Sequence, residues 1–282
     1  MAARQPASPS HHARWSTPIR PPGGPGLRLV VVDVVIDALA AQQEELSHLL
    51  EGCGETQWRA PTRCAGWDVS DVVLHLAQTN EMAIGSATGR LPEVLADLTG
   101  GLAPARSIDE AAAAMVLGQR GRPRPDVVDR WSSSASGLLD VVGAMDLSTR
   151  VSWVAGELSA RTLVTTRQAE TWIHGGDVAE ALGVTLVPTE HLFPIARLAW
   201  RTLPYAFSSA GRTLAGPVAF ALTSPAGRPW DLVPDQPVVT TITGPAVELC
   251  AVAARRADPA ATSLTGVGPD AEAVLSLVRT YA

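Results

Sequence analysis

The sequence contains no lysine; all 22 of its basic residues are arginine. That excludes Schiff-base lysine chemistry and a phosphate-binding loop built on a lysine. Cysteine is scarce as well. Cys53, Cys64 and Cys250 are an odd set with no CxxC spacing, so a disulfide framework is not expected and the cytoplasm is the expected compartment. Long apolar runs are absent. The longest, near Leu29–Ile36, is broken by Asp33, which excludes a membrane-spanning helix. The formal net charge of -6 lacks the positive field that nucleic acid or an anionic membrane requires, so neither is an expected partner. The HExxH and GxSxG patterns are both missing.

What is present reads as a globular chain of 282 residues, 46% hydrophobic and 18% charged. The first 26 residues are rich in Pro, Ser and Gly and carry no apolar signal core, so residues 1–26 are expected to form a disordered leader. Four long helices are expected over Val32–Leu50, from Asp68 or Ser70 to Thr88, over Asp126–Met145 and over Ser159–Leu182. Ile108–Gln119 and Pro188–Leu203 are further helical segments, and Gly89–Arg106 reads as a Gly/Pro-rich connection. After Gly211 the pattern changes. Pro217–Leu222, Val238–Ile242 and Thr262–Val267 read as strands, and Ala246–Arg256 and Ala271–Tyr281 as helices. The expected architecture is an antiparallel four-helix bundle over residues 27–210, followed by a small α+β domain over 211–282.

Three polar residues stand on helix faces expected to be apolar. His75 lies in DVVLHLA on the second long helix. Glu170 and His174 are four residues apart on the fourth, and so lie on one face, which Leu163, Val178 and Ala181 extend. A carboxylate and two imidazoles inside a helical core are costly unless paired, and a divalent cation removes that cost. Two His and one carboxylate with a free fourth position is a recurring catalytic zinc arrangement. Asp177, three residues after His174, is placed to accept the second ring N–H of that ligand. The same spacing also suits an ordinary exposed helix pair, with Arg167 bonded to Glu170.

The segment WRAPTRCAGWDVSDVVLHLA (Trp58–Ala77), taken with ETWIHGGDVAEALG (Glu170–Gly183), resembles the mycothiol-dependent maleylpyruvate isomerase family, within the DinB-like superfamily of metal-binding four-helix bundles. The resemblance covers Val32–Tyr281. It implies that His75, Glu170 and His174 are metal ligands at the catalytic centre. ITGPAVELCAVAARRADP also resembles the family's smaller C-terminal domain, in which a helix ends in an arginine facing the active site. Arg255 is the match, implied as a catalytic and cofactor-binding residue, although the Trp-Gly usual before that arginine is Ala253-Ala254 here.

The resemblance implies a divalent metal, zinc being favoured, and mycothiol as cofactors. The implied activity is isomerase or S-transferase chemistry on a small electrophilic substrate. A metal-bound thiol loses its proton near neutral pH, and the thiolate can add to an activated double bond, permit rotation and leave. Two alternatives stay open. One is a thiol-independent lyase, hydratase, cyclase or hydrolase in which the metal acts as Lewis acid or activates water. The other is a metal-stabilised binding module without catalysis. Cys64 is expected to pack beside Trp67, and Cys250 to sit in the core. An all-arginine, Ala-rich chain suits an actinobacterial source.

Overall fold

The computed structural model describes residues 33–103, 105–154 and 156–280. The expected leader, the start of the first helix before Asp33 and the last two residues lie outside the described residues.

Helix α1 (Val34–Glu51) starts where Asp33 accepts the Val35 N–H and stops at Gly52. The Asp33 carboxylate also takes a bidentate ion pair from Arg161, at 2.6 and 2.7 Å, which ties the start of α1 to the start of a later helix. A short helix, α2 (Glu55–Trp58), buries Trp58 completely.

Helix α3 (Val69–Ala87) opens with a reciprocal capping box. Asp71 N–H donates to Asp68 and Asp68 N–H to Asp71. Arg120 clamps Asp71 at 2.7 and 2.9 Å and bonds the Gly66 carbonyl, so the preceding loop is held against the helix start. The segment read as an irregular connection contains α4 (Leu91–Thr99), with Pro92 in its first turn. Its Leu91 and Leu98 pack on Met82 and Met115, a tertiary contact that outweighs the flanking glycines and prolines. Helix α5 (Ile108–Gln119) has the expected bounds, and α6 (Arg124–Gly143) begins two residues earlier than expected, with Pro125 in its first turn.

A hairpin follows that the alternation did not reveal: β1 (Arg150–Trp153) pairs antiparallel with β2 (Gly156–Ser159). Strands of four residues are too short to show a period. Helix α7 (Ala160–Leu182) is capped by Ser159 and ended by Gly183 at φ +69°, a left-handed position that suits glycine. Almost every residue from Ala160 to Ala179 is buried, so α7 is the central helix. Helices α1, α3, α6 and α7 pack on one another: α3 lies against α6 and α7, and α1 against α7 and α6. Two apolar clusters fill the space between them. One contains Leu39, Leu138, Leu163 and Val164; the other contains Leu46, Val72, Leu76, Trp131 and Val178. Along α7 the polar residues from Arg167 to Asp177 fall between these clusters.

The expected helix over Pro188–Leu203 is a 3-10 turn at Glu190–Leu192 followed by α8 (Phe193–Arg201); a further helix, α9 (Leu203–Ser209), was not expected and begins with Pro204 in its first turn. Then come β3 (Val218–Thr223), β4 (Pro229–Leu232), β5 (Thr240–Pro245), α10 (Ala246–Ala253), β6 (Thr265–Val267) and α11 (Ala271–Leu277). The sheet order is β4-β3-β5-β6, with β3 and β5 parallel and the two outer pairings antiparallel. Strand β4 was not expected, because Pro229 and Asp231 mask its two buried residues, Trp230 and Leu232. Phe220 pairs with both Leu232 and Ile242 and is fully buried. Ile195, Ala199, Leu203 and Phe207 of α8 and α9 share this core with Leu249 and Val274. Ala169 of α7 joins it, so the sheet region packs directly on the helix that carries the candidate ligands. Among the described residues no helix is long and apolar enough to cross a membrane.

Candidate metal centre

Helices α3 and α7 bring His75, Glu170 and His174 together. His75 Nε2 is 3.5 Å from Glu170 Oε2, and His174 Nε2 is 3.6 Å from the same oxygen. The three ligand atoms lie within 4.8 Å of one another. All three residues are between 6% and 7% exposed. These separations exceed a good N–H···O hydrogen bond. They are close to the ~3.3 Å that separates neighbouring ligand atoms around a tetrahedral ion bound at about 2.0–2.1 Å.

The protonation of the cluster follows from its hydrogen bonds. Asp177 Oδ2 accepts from His174 Nδ1 at 3.0 Å, which fixes the proton there in the neutral ring and leaves the Nε2 lone pair facing Glu170. Burial pushes His174 down, but its hydrogen bonds to Asp177, Cys64 and Glu170 outweigh this and hold it well above the usual histidine value. At His75, burial, helped by the charges of His174 and Arg167, outweighs the Glu170 contact and lowers it. For Glu170, burial acts upward but is overcome by both histidines and Arg167, so the carboxyl stays ionised far below its ordinary range. An ionised carboxylate facing two ring nitrogens is satisfied either by protons carried on those nitrogens or by a metal ion between them. His75 Nδ1 is buried with no partner among the described residues.

The loop before α3 covers this cluster. Thr62 N–H and hydroxyl both donate to the Trp67 carbonyl, Trp67 N–H donates to Cys64 O, and Val69 N–H donates to Ala60 O. This tight turn places the Trp67 ring 5.1 Å from His75 and 6.5 Å from His174. It also brings Cys64 Sγ to 3.2 Å from Asp177 Oδ2 and 3.7 Å from His174 Nδ1. Cys64 therefore belongs to the polar network rather than merely packing beside Trp67. Cys250 is a fully buried core residue, its thiol pushed up to about 12 by burial.

The structure does not bring Arg255 to the cluster. Arg255 is exposed and its Nη1 donates to the Ser276 carbonyl at 2.9 Å. Arg256 takes the place expected of it, with Nε 2.7 Å and Nη2 2.6 Å from the two Asp177 oxygens. The cause lies at the end of α10. Arg255 adopts φ +58°, the left-handed conformation that closes the helix, and Arg256 N–H turns back to Ala251 O at 2.8 Å. That turn sends the two neighbouring side chains in different directions. With one sequence and two adjacent arginines, no residue pattern separated them. Arg63 of the covering loop bonds the Arg256 carbonyl at 3.1 Å and pairs with Glu180 at 3.3 Å. A cleft of about 300 Å³ opens beside Asp177 and Arg256, lined also by Gln42, Trp172, Leu186 and Ala251.

Arg167 and Glu170 form an i,i+3 ion pair at 3.9 Å, at the outer limit of such a contact, and both are buried rather than on an exposed face.

A profile of the mycothiol maleylpyruvate isomerase N-terminal domain matches residues 39–179, a span that contains His75, Glu170, His174 and Asp177. The chain belongs to this family. It is 28% identical over 245 residues to uncharacterized proteins from two strains of Mycobacterium tuberculosis, covering 86% of this chain and 93% of theirs. The crystal structure of the mycothiol-dependent maleylpyruvate isomerase has a similar fold, with a TM-score of 0.55 at 18% identity, covering 83% of this chain and 93% of that one. A histidine-to-alanine mutant of that enzyme matches with the same score at 16% identity. The α8–α11 region lies outside the matched profile.

Proposed function

We propose that the protein is a zinc-dependent, mycothiol-using enzyme that isomerises or transfers a thiol to a small electrophilic substrate. In this reading α1, α3, α6 and α7 form an antiparallel four-helix bundle of DinB-like type, residues 211–282 act as a smaller second domain, and the enzyme works in the cytoplasm. The observation that carries the reading is the convergence of two imidazole nitrogens and one carboxylate oxygen, all buried, at separations suited to one ion.

His75, Glu170 and His174 would hold the metal, which is favoured as zinc by two imidazoles and a compact donor set. When bound, the metal keeps a thiol ligand ionised at neutral pH, and that thiol supplies the nucleophile for reversible addition to an activated double bond or for displacement of a leaving group. Asp177 holds the His174 proton on Nδ1, so that Nε2 stays available as a donor atom. Arg256 fixes Asp177 from the far side and takes the role first expected of Arg255. Trp67 covers both rings and limits water at the centre. The cleft beside Asp177 and Arg256 is where the large polar thiol would enter.

The test is turnover of maleylpyruvate by zinc-loaded protein, followed by NMR of the alkene protons. Conversion from cis to trans that needs both zinc and mycothiol is the expected result. Zinc-dependent turnover with no need for thiol would replace this reading with water or Lewis-acid chemistry.

A further inference from the structure

Arg167 lies one turn before Glu170 on the ligand-bearing face of α7. It is 4% exposed. Its Nε and Nη1 have no hydrogen-bond partner among the described residues, and Nη2 reaches only to 3.9 Å from Glu170 Oε2. The guanidinium rests over the Trp153 ring at 5.5 Å, held there by the β1–β2 hairpin. A guanidinium stays charged in proteins, and a buried charge with unpaired donors is costly without a function. Trp153 satisfies one face of the group, but a ring face cannot satisfy N–H donors in the guanidinium plane.

The charges of the centre give a second, independent argument. Arg256 is balanced by Asp177, bound through both oxygens. Among the described residues, Glu170 is the acidic group paired with Arg167. A divalent ion on His75, Glu170 and His174 would claim that carboxylate, leaving two positive charges unbalanced in a buried site. One thiolate would neutralise one of them. A carboxylate on Arg167 would neutralise the other.

We propose that Arg167 is a substrate-binding residue that receives a carboxylate of the substrate on the side of the β1–β2 hairpin. This deepens the proposed function and rests on its metal centre. The planar fork of Arg167 suits a bidentate carboxylate, and Trp153 keeps the fork in one plane. Its role is in binding and orientation; no proton moves through it.

The probe is acetate, with acetamide as its neutral isostere, titrated calorimetrically into zinc-loaded protein saturated with 2-mercaptoethanol. Wild type should bind acetate and not acetamide. Arg167→Met should weaken acetate binding by roughly tenfold or more, and Arg167→Lys should keep much of it. Both variants should retain the wild-type zinc content and circular dichroism. If Arg167→Met fails to fold, Arg167→Gln and Arg167→Lys carry the same comparison. Equal acetate affinity in wild type and a folded, zinc-bound Arg167 variant would overturn the anion site while leaving the metal centre intact. A wild-type protein that takes up no zinc would overturn the metal centre, and the charge argument with it.

Discussion

His174→Ala should lower zinc affinity by about a hundredfold or more. Zinc held by protein side chains is bound by on the order of 10 kcal/mol in total, so one ligand of three accounts for several kcal/mol. The fold should survive. Asp177 keeps its two bonds to Arg256, and the imidazole vacated is one of several polar groups on a stripe bounded by apolar clusters. Equilibrium dialysis against a zinc buffer reads the affinity, and circular dichroism reads the fold. A folded His174→Ala protein with wild-type zinc affinity would remove His174 from the site. Glu170→Gln should behave alike, since it keeps the shape and removes the charge that the ion requires.

The second large effect is expected one layer out. Asp177 is 1% exposed and accepts from His174 Nδ1, from Arg256 twice and from the Cys64 thiol. Asp177→Asn should therefore weaken zinc binding roughly 10- to 100-fold, the usual range for a residue that orients a ligand histidine. It should also destabilise the protein by about 2–3 kcal/mol. That is below the 3–5 kcal/mol typical of a broken buried pair, because Arg256 is a quarter exposed. Arg256→Met should share the loss of affinity in smaller measure. Arg255→Gly should leave zinc affinity unchanged, since among the described residues the Arg255 guanidinium bonds the carbonyl of Ser276, away from the cluster. It should not lower stability either, because glycine relieves the left-handed strain at φ +58°. Zinc affinity that falls with Arg255 rather than Arg256 would mean that the end of α10 is arranged differently.

The helices were legible because their signals are local. Asp33, Asp68, Ser107 and Ser159 all cap helices through their side chains, and Gly183 ends α7 at the expected residue. The i,i+4 spacing of Glu170 and His174 put both on one face, and the backbone fulfils that. What could not be read was non-local. Helix α4 exists because Leu91 and Leu98 find Met82 and Met115, and β4 because Trp230 and Leu232 find Phe220 and its neighbours. At the site, the pairing of Arg256 with Asp177 depends on a single left-handed residue, and Cys64 enters the network only because its loop folds back over α7. The sequence left open an exposed pairing of Arg167 with Glu170; in the structure the pair is buried. The burial of Arg167 is set by Trp153, a residue on a hairpin that no periodicity marked.

The most direct test of the central claim is the visible spectrum of the cobalt-substituted protein, before and after mycothiol is added. The account predicts a four- or five-coordinate cobalt spectrum that gains an intense thiolate-to-cobalt band when mycothiol binds, and that is lost in His174→Ala. A cobalt spectrum that mycothiol leaves unchanged would contradict a metal centre that takes the thiol as a ligand.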